Sequence, residues 1–314
     1  MTKNSFKSYA LIITITAILT LISTLPIGIF GVIITALLAS TIGYTITKHH
    51  YYFVAVVCSC VLFIYSAFSG EFIASLTVSL PIILSGIALG IVYNLKSSDF
   101  IATGAITGIY TVYLLLNAKI LSLDFNEFFS TTAKSYSDVL FSVYENQFTQ
   151  AEIDTIIAEM MSVTLKFMPS FIIILCGCLA LLELYIFKRV LKLTKSELSS
   201  FKPFDAWHAD KSFSIVFFAL LIISLFLPEK NYFSDAIANV VLVSEFVFYI
   251  FGLSLVDYLL ILKMKNHILR RIVLVLLALF SLGAPRYILC FLGAVDGCIN
   301  LREKLTKNNL PKQE

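Results

Sequence analysis

FIASLTVSLPIILSGIALGIVY, residues 72–93, has no charged side chain and sets Pro81 between two apolar halves. At about 1.5 Å per residue, a helix over this stretch is long enough to cross a bilayer core roughly 30 Å thick. In lipid, every backbone N–H and C=O needs a partner within its own segment, and a helix supplies it. Apolar runs recur at 9–25, 28–47, 51–69, 100–117, 167–187, 212–228, 236–262 and 268–300. The fold class is therefore all-α: a polytopic transmembrane bundle of about nine or ten membrane helices, each needing some 20 apolar residues.

Composition agrees. Of 314 residues, 59% are hydrophobic and 14% charged, where a soluble domain carries about 25% charge. Mean hydropathy is +0.91. A net charge of +3 without a basic stripe excludes nucleic acid as a partner. The six cysteines all lie in apolar runs. Cys58 and Cys60, like Cys176 and Cys178, are two apart, and residues two apart on a helix point about 200° away from each other. Small buried apolar side chains, not a metal site, are expected.

The last run is too long for one upright helix, and Gly283-Ala284-Pro285 interrupts it. Proline disfavours helix at the residue before it, which predicts a turn and a helical hairpin. Charge supports the hairpin, because Lys and Arg gather on the cytoplasmic side. With Lys3 and Lys7 inside, the inner side also receives Lys48, Lys96, the cluster from Lys188 to Lys211, and Lys263, Lys265, Arg270 and Arg271. A tail with Arg302, Lys304, Lys307 and Lys312 also belongs inside, which requires an even number of crossings. Both termini are then cytoplasmic.

Three parts follow: 1–117, a five-helix membrane part; 118–166, an external polar segment; and 167–314, C-terminal membrane helices with a cytoplasmic loop at 188–211 and the basic tail. The middle part is amphipathic. Phe125, Phe129, Tyr136, Leu140 and Tyr144 recur at helical spacing, as do Ile153, Ile156 and Met160. Asp124 with Glu127, and Thr149 with Glu152, are spaced to cap the two helix starts. A hairpin on the outer face is expected, either as structure or as a lid, with a membrane helix beginning near Pro169.

Ionisable residues inside membrane helices are expensive and call for a reason. Glu245, Asp257, Arg286 and Asp296 form the candidate intramembrane polar site, with Glu245 and Arg286 placed to pair. Glu183, close to Lys188 and Arg189, is expected at the interface. Gly86 with Gly90, and Gly104 with Gly108, are four apart and leave flat grooves for helix packing. In the loop, Phe204 and the lone Trp207 suit an interfacial anchor or a docking point for a cytoplasmic partner. His49-His50 suits a solvated helix end. The sequence has no phosphate-binding loop, nucleophile elbow or zinc-protease motif, so neither an enzyme nor a cofactor is expected.

Pro81 with Gly86 and Gly90, the loop Phe204-x-x-Trp207, and the ending Leu292-Gly293-x-x-Asp296-x-x-x-Asn300-x-Arg302 together resemble the YybS-like family of bacterial membrane proteins. The loop departs from that pattern: His208-Ala209-Asp210 follows the Trp where a Pro is usual. More remotely, the pattern is similar to the S components of energy-coupling-factor transporters, helical bundles that hold a small solute and dock on a separate energising module. The first helices of S components dock through small residues four apart, and Ala10 with Thr14 and Ala36 with Ser40 match that poorly. The resemblance implies a multi-pass protein of the bacterial cell membrane that binds or transports a small solute. Without a nucleotide-binding motif, active movement would need a separate ATPase or an ion gradient. The alternative is a non-transporting scaffold that docks a cytoplasmic protein. An intramembrane enzyme would have only the four candidate ionisable residues to work with.

Overall fold

A computed structural model describes residues 3–24, 29–120, 125–144, 147–194, 202–228, 231–281 and 283–309. The break at Pro26-Ile27-Gly28, the cap at Asp124, and Lys195 and Lys312 lie outside these residues. The order is α1 (Lys3–Ser23), α2 (Ile29–Lys48), α3 (Tyr51–Ser69), α4 (Phe72–Asn94), α5 (Asp99–Ile120), α6 (Phe125–Tyr144), α7 (Gln150–Leu193), a short 3-10 turn (Phe204–Ala206), α8 (Lys211–Phe226), α9 (Tyr232–Lys263), α10 (His267–Phe280), α11 (Arg286–Ile299) and α12 (Leu301–Asn309). The described secondary structure is helical throughout, as a polytopic bundle requires. Among the described residues, six helices are long and apolar enough to cross a membrane: α2, α3, α4, α5, α7 and α9. Tyr9–Ser23 of α1 and all of α8 are shorter apolar helices.

The chain forms two compact units, Met1–Phe128 with Leu175–Phe201, and Phe129–Ile174 with Lys202–Glu314. The C-terminal half of α7 thus groups with the N-terminal helices.

In the first unit, the most extensive packing is between α2 and α4. A Cβ at Gly86 would lie 2.6 Å from the Ala39 carbonyl oxygen, and one at Gly90 2.5 Å from Ile46 Cβ. The missing side chains let α4 settle on α2, over a core of Leu38, Ile42, Val57, Val61 and Leu89. Gly104 and Gly108 share the same spacing but face open space. Three hydroxyls inside the spans bond back one turn: Ser40 to Ala36 O, Ser79 to Ser75 O and Thr107 to Thr103 O. Between α2 and α3, His49 is not fully solvated; its ring lies 4.8 Å from Tyr9 and 5.6 Å from Phe53. Burial, and secondly the charge of His50, hold the His49 imidazole below its ordinary pKa.

In the second unit, α6 pairs with the start of α7. Ser137 donates to Asp154, and Gln150 Nε2 donates to Ser137 Oγ at 2.7 Å. The Thr149–Glu152 cap forms in both directions: Glu152 Oε2 accepts from Thr149 N at 2.8 Å, and Thr149 Oγ1 accepts from Glu152 N at 3.3 Å. No new helix begins at Pro169, which lies inside one continuous α7. The repair comes from α9. Asn239 Oδ1 accepts from Ser170 N at 3.2 Å, and Asn239 Nδ2 donates to Lys166 O at 2.9 Å. These are the N–H and C=O that ordinarily bond each other across one turn. Asn239→Leu strips both partners and is expected to lower stability by about 1–3 kcal/mol. Lys166→Ala, which removes the exposed pair with Asp235 and a cation contact with the Phe167 ring, should cost under about 1 kcal/mol. Thermal unfolding midpoints in detergent compare the two.

The final apolar run does break at Gly283-Ala284-Pro285, with α10 on one side and α11 on the other. Each has 14 residues, about 21 Å at the helical rise, which is short of a full crossing. Asn266 caps α10 through Ile268 N and Leu269 N. Tyr249 of α9 donates to Ala278 O at 2.8 Å and ties down the end of α10.

Candidate functional site

Two polar clusters lie in the apolar interior, one in each unit. In the first unit, Glu183 is 2% exposed. Its sequence surroundings, Leu181-Leu182-Glu183-Leu184, are those of an apolar span. Tyr110 of α5 donates its hydroxyl to Glu183 Oε1. Ser85 of α4 reaches the same oxygen at 3.4 Å and the Tyr110 hydroxyl at 3.4 Å. Ser40 of α2 donates to the Glu183 carbonyl oxygen at 3.4 Å. Glu183 Oε2 is buried and has no hydrogen-bond partner among the described residues. Four helices therefore meet at Glu183: α4 and α5 reach the carboxyl on α7, both at the same oxygen, and α2 reaches its main-chain carbonyl.

The interfacial expectation for Glu183 rested on the basic residues that follow it. The structure gives those residues other partners. Lys188 pairs with Asp99 at the start of α5, at 2.9 Å, and Arg189 Nη2 donates to Tyr185 OH at 3.0 Å. Glu183 is left in the interior among hydroxyls.

In the second unit, Arg302 is 8% exposed. Its Nε donates to Asp296 Oδ2 at 2.9 Å. Its Nη1 donates to the Asp205 carbonyl, and its Nη2 to the Trp207 carbonyl at 2.7 Å and Ser254 Oγ at 3.0 Å. Ser254 in turn donates to the Phe204 and Trp207 carbonyls at 2.5 and 2.7 Å. Asn300 ends α11 in the left-handed conformation, φ 50°, and so turns the chain to bring Arg302 back onto Asp296. Short motifs far apart in sequence thus meet at one buried node.

A family model for predicted membrane proteins, DUF2232, matches residues 14–297, most of the chain. The chain belongs to this family. No curated protein and no solved structure matches it. The DUF2232 match takes in Glu183, Tyr110, Ser85 and Asp296 and ends before Asn300 and Arg302.

Within this DUF2232 chain, Glu245 and Arg286 act on each other, while Asp257 and Asp296 each pair with another arginine. Asp257 pairs with Arg270, Nε to Oδ1, at 3.2 Å, and Asp296 pairs with Arg302 at 2.9 Å. Glu245 and Arg286, both half-buried, act on each other electrostatically. The Arg286 guanidinium also lies over the Tyr287 ring, 4.7 Å from its centroid. The Phe204 and Trp207 rings pack at a tilt, 59° between planes, with their centroids 5.6 Å apart, on a loop whose carbonyls are held by Ser254 and Arg302. Glu183 and its hydroxyl partners, Ser40, Ser85 and Tyr110, were not legible as a group. The one available signal was an acidic residue with leucine on both sides.

Proposed function

We propose that this protein binds or moves a small solute within the membrane, with Glu183 and its ring of hydroxyls as the polar centre. The observation that carries the reading is Glu183 Oε2, a buried carboxyl oxygen without a hydrogen-bond partner among the described residues. Leaving such a group inside an apolar bundle costs free energy, and ionisable groups in membrane helices most often mark pathways or ligand sites. The resemblance to YybS-like chains, and remotely to S components, supports binding rather than chemistry. Membership of a family of predicted membrane proteins fits a polytopic carrier.

The test is a thermal-shift screen of the purified full chain in detergent against vitamins, metal ions and lipid precursors. A ligand that binds only the folded state raises the midpoint by mass action; at a hundredfold excess over Kd the gain is about 2.7 kcal/mol. At least one solute is expected to raise the midpoint of the wild type, and the shift should be lost in Tyr110→Phe and Glu183→Gln. If no solute moves the wild-type midpoint and a cytoplasmic protein co-purifies with the chain, the scaffold reading takes its place.

A further inference from the structure

We propose that Glu183 is a proton-binding site, with the exchangeable proton carried on Oε2. The inference deepens the reading of Glu183 as the polar centre and rests on it, by naming the ion that the centre exchanges.

The pattern of donors is the first argument. An ionised carboxylate accepts at both oxygens and draws donors to both, whereas a carboxylic acid accepts at its carbonyl oxygen and donates from the other. Both side-chain contacts, from Tyr110 and Ser85, fall on Oε1. Oε2 receives none from the described residues. Oε1 thus has the contacts of a carbonyl oxygen, and Oε2, which has neither a donor nor an acceptor among the described residues, is the oxygen left to carry the proton.

Charge is the second argument. The groups on the carboxyl are Ser85 of α4 and Tyr110 of α5, with Cys176 of α7 beside Tyr110 and Ser40 of α2 on the Glu183 main-chain carbonyl. None of these is a cation. The basic residues that follow on α7 are engaged elsewhere, Lys188 with Asp99 and Arg189 with Tyr185. One carboxyl can be neutralised by one positive charge, which points to a monovalent species.

Space is the third. α2, α4 and α7 meet closely beside the carboxyl: a Cβ on Gly43 would lie 3.1 Å from Gly86 O and 3.1 Å from Phe187 Cε2. Ser40, Ser85 and Phe187 are all 0% exposed. A dehydrated metal cation demands several oxygen ligands at fixed distances, and a proton demands only Oε2. The step is a simple exchange: the carboxylate takes a proton to give the acid and returns it without any other bond changing. In the acid form the four helices pack as observed. Loss of the proton leaves a bare anion that must draw in water or a cation, so deprotonation favours opening of this contact.

Infrared difference spectroscopy of the full chain in lipid nanodiscs, stepped between neutral and alkaline pH, tests the proposal. A carboxylic-acid C=O band is expected at neutral pH, with reversible loss on alkalinisation. The band should be missing from Glu183→Gln and shifted to higher frequency in Tyr110→Phe, which removes the donor to Oε1. Should Glu183→Gln fail to fold, the Tyr110→Phe shift alone decides: a band that does not move belongs to another acid, and the proposal falls. It falls equally if the wild type minus Glu183→Gln difference contains no acid band at any pH, or if sodium stabilises the chain at constant ionic strength in the absence of such a band. A titrating band with no solute in the thermal screen keeps the proton site and removes solute binding. A solute shift without the band does the reverse.

Discussion

Arg302→Ala is expected to lower the stability of the second unit by about 3–5 kcal/mol, the range for breaking a buried ion pair on one side. Arg302 serves five acceptors through one planar group and its own backbone N–H: Asp296 twice, the carbonyls of Asp205 and Trp207, and Ser254. Alanine leaves the Asp296 carboxylate, 2% exposed at its side chain, without its countercharge. It also frees two loop carbonyls, although Ser254 still holds that of Trp207. Arg302→Lys should recover little, because an ammonium cannot present the fork that reaches Asp296 and the loop together. The double variant Arg302→Met with Asp296→Leu should regain much of the loss, since neither charge is then stranded. Unfolding midpoints in detergent give the order wild type, double variant, Arg302→Lys, Arg302→Ala. Chymotryptic cleavage after Trp207 should accelerate in Arg302→Ala, as the loop is released from α9. An Arg302→Ala midpoint within a degree of wild type would remove the node as a structural lock.

Among the described residues, six of the expected nine or ten spans meet the length that a bilayer core of roughly 30 Å imposes, while the apolar runs that became α1, α8, α10 and α11 form shorter apolar helices. The turn at Pro285 was legible for a local reason, proline chemistry. What escaped depended on partners distant in sequence. Pro169 should interrupt a helix, and only Asn239 on α9 explains why α7 continues through it. Arg302 reads as one more basic tail residue until Asn300 turns it back onto Asp296. Glu183 reads as interfacial from Lys188 and Arg189, and its burial against Ser85 and Tyr110 depends on helices distant in sequence. Spacing alone was least informative for glycine. Gly86 with Gly90 and Gly104 with Gly108 are identical as patterns, yet only the first pair meets another helix.

Gly293→Ala is expected to destabilise the protein by about 3 kcal/mol, at the upper end of the range for overpacking a core. Here α9 and α11, the most extensively packed pair of the second unit, touch backbone to backbone. A Cβ on Gly293 would lie 2.2 Å from Phe248 O and 2.6 Å from Gly252 N, and one on Gly252 2.0 Å from Leu289 O. These obstacles are main-chain atoms inside helices, so no rotamer change relieves them. The helices must move apart, and the buried layer of Phe248, Leu289, Cys290 and Ala294 loses contact with them. Gly252→Ala should cost about as much, and the two should be far from additive, because either one alone already separates the pair. Gly90→Ala tests the grading: its obstacles, Ile46 Cβ at 2.5 Å and Gly43 O at 2.9 Å, are fixed by the backbone too but stand farther off than those at Gly293, so a smaller loss is expected. Gly104→Ala meets nothing within 4 Å and should leave stability unchanged or raise it by up to about 1 kcal/mol through helix propensity. The four midpoints, measured in one detergent, rank the glycines by backbone proximity if the α9–α11 crossing is as close as described. Equal effects at Gly104 and Gly293 would mean that helix propensity, not contact, sets the response, and the crossing would lose its role.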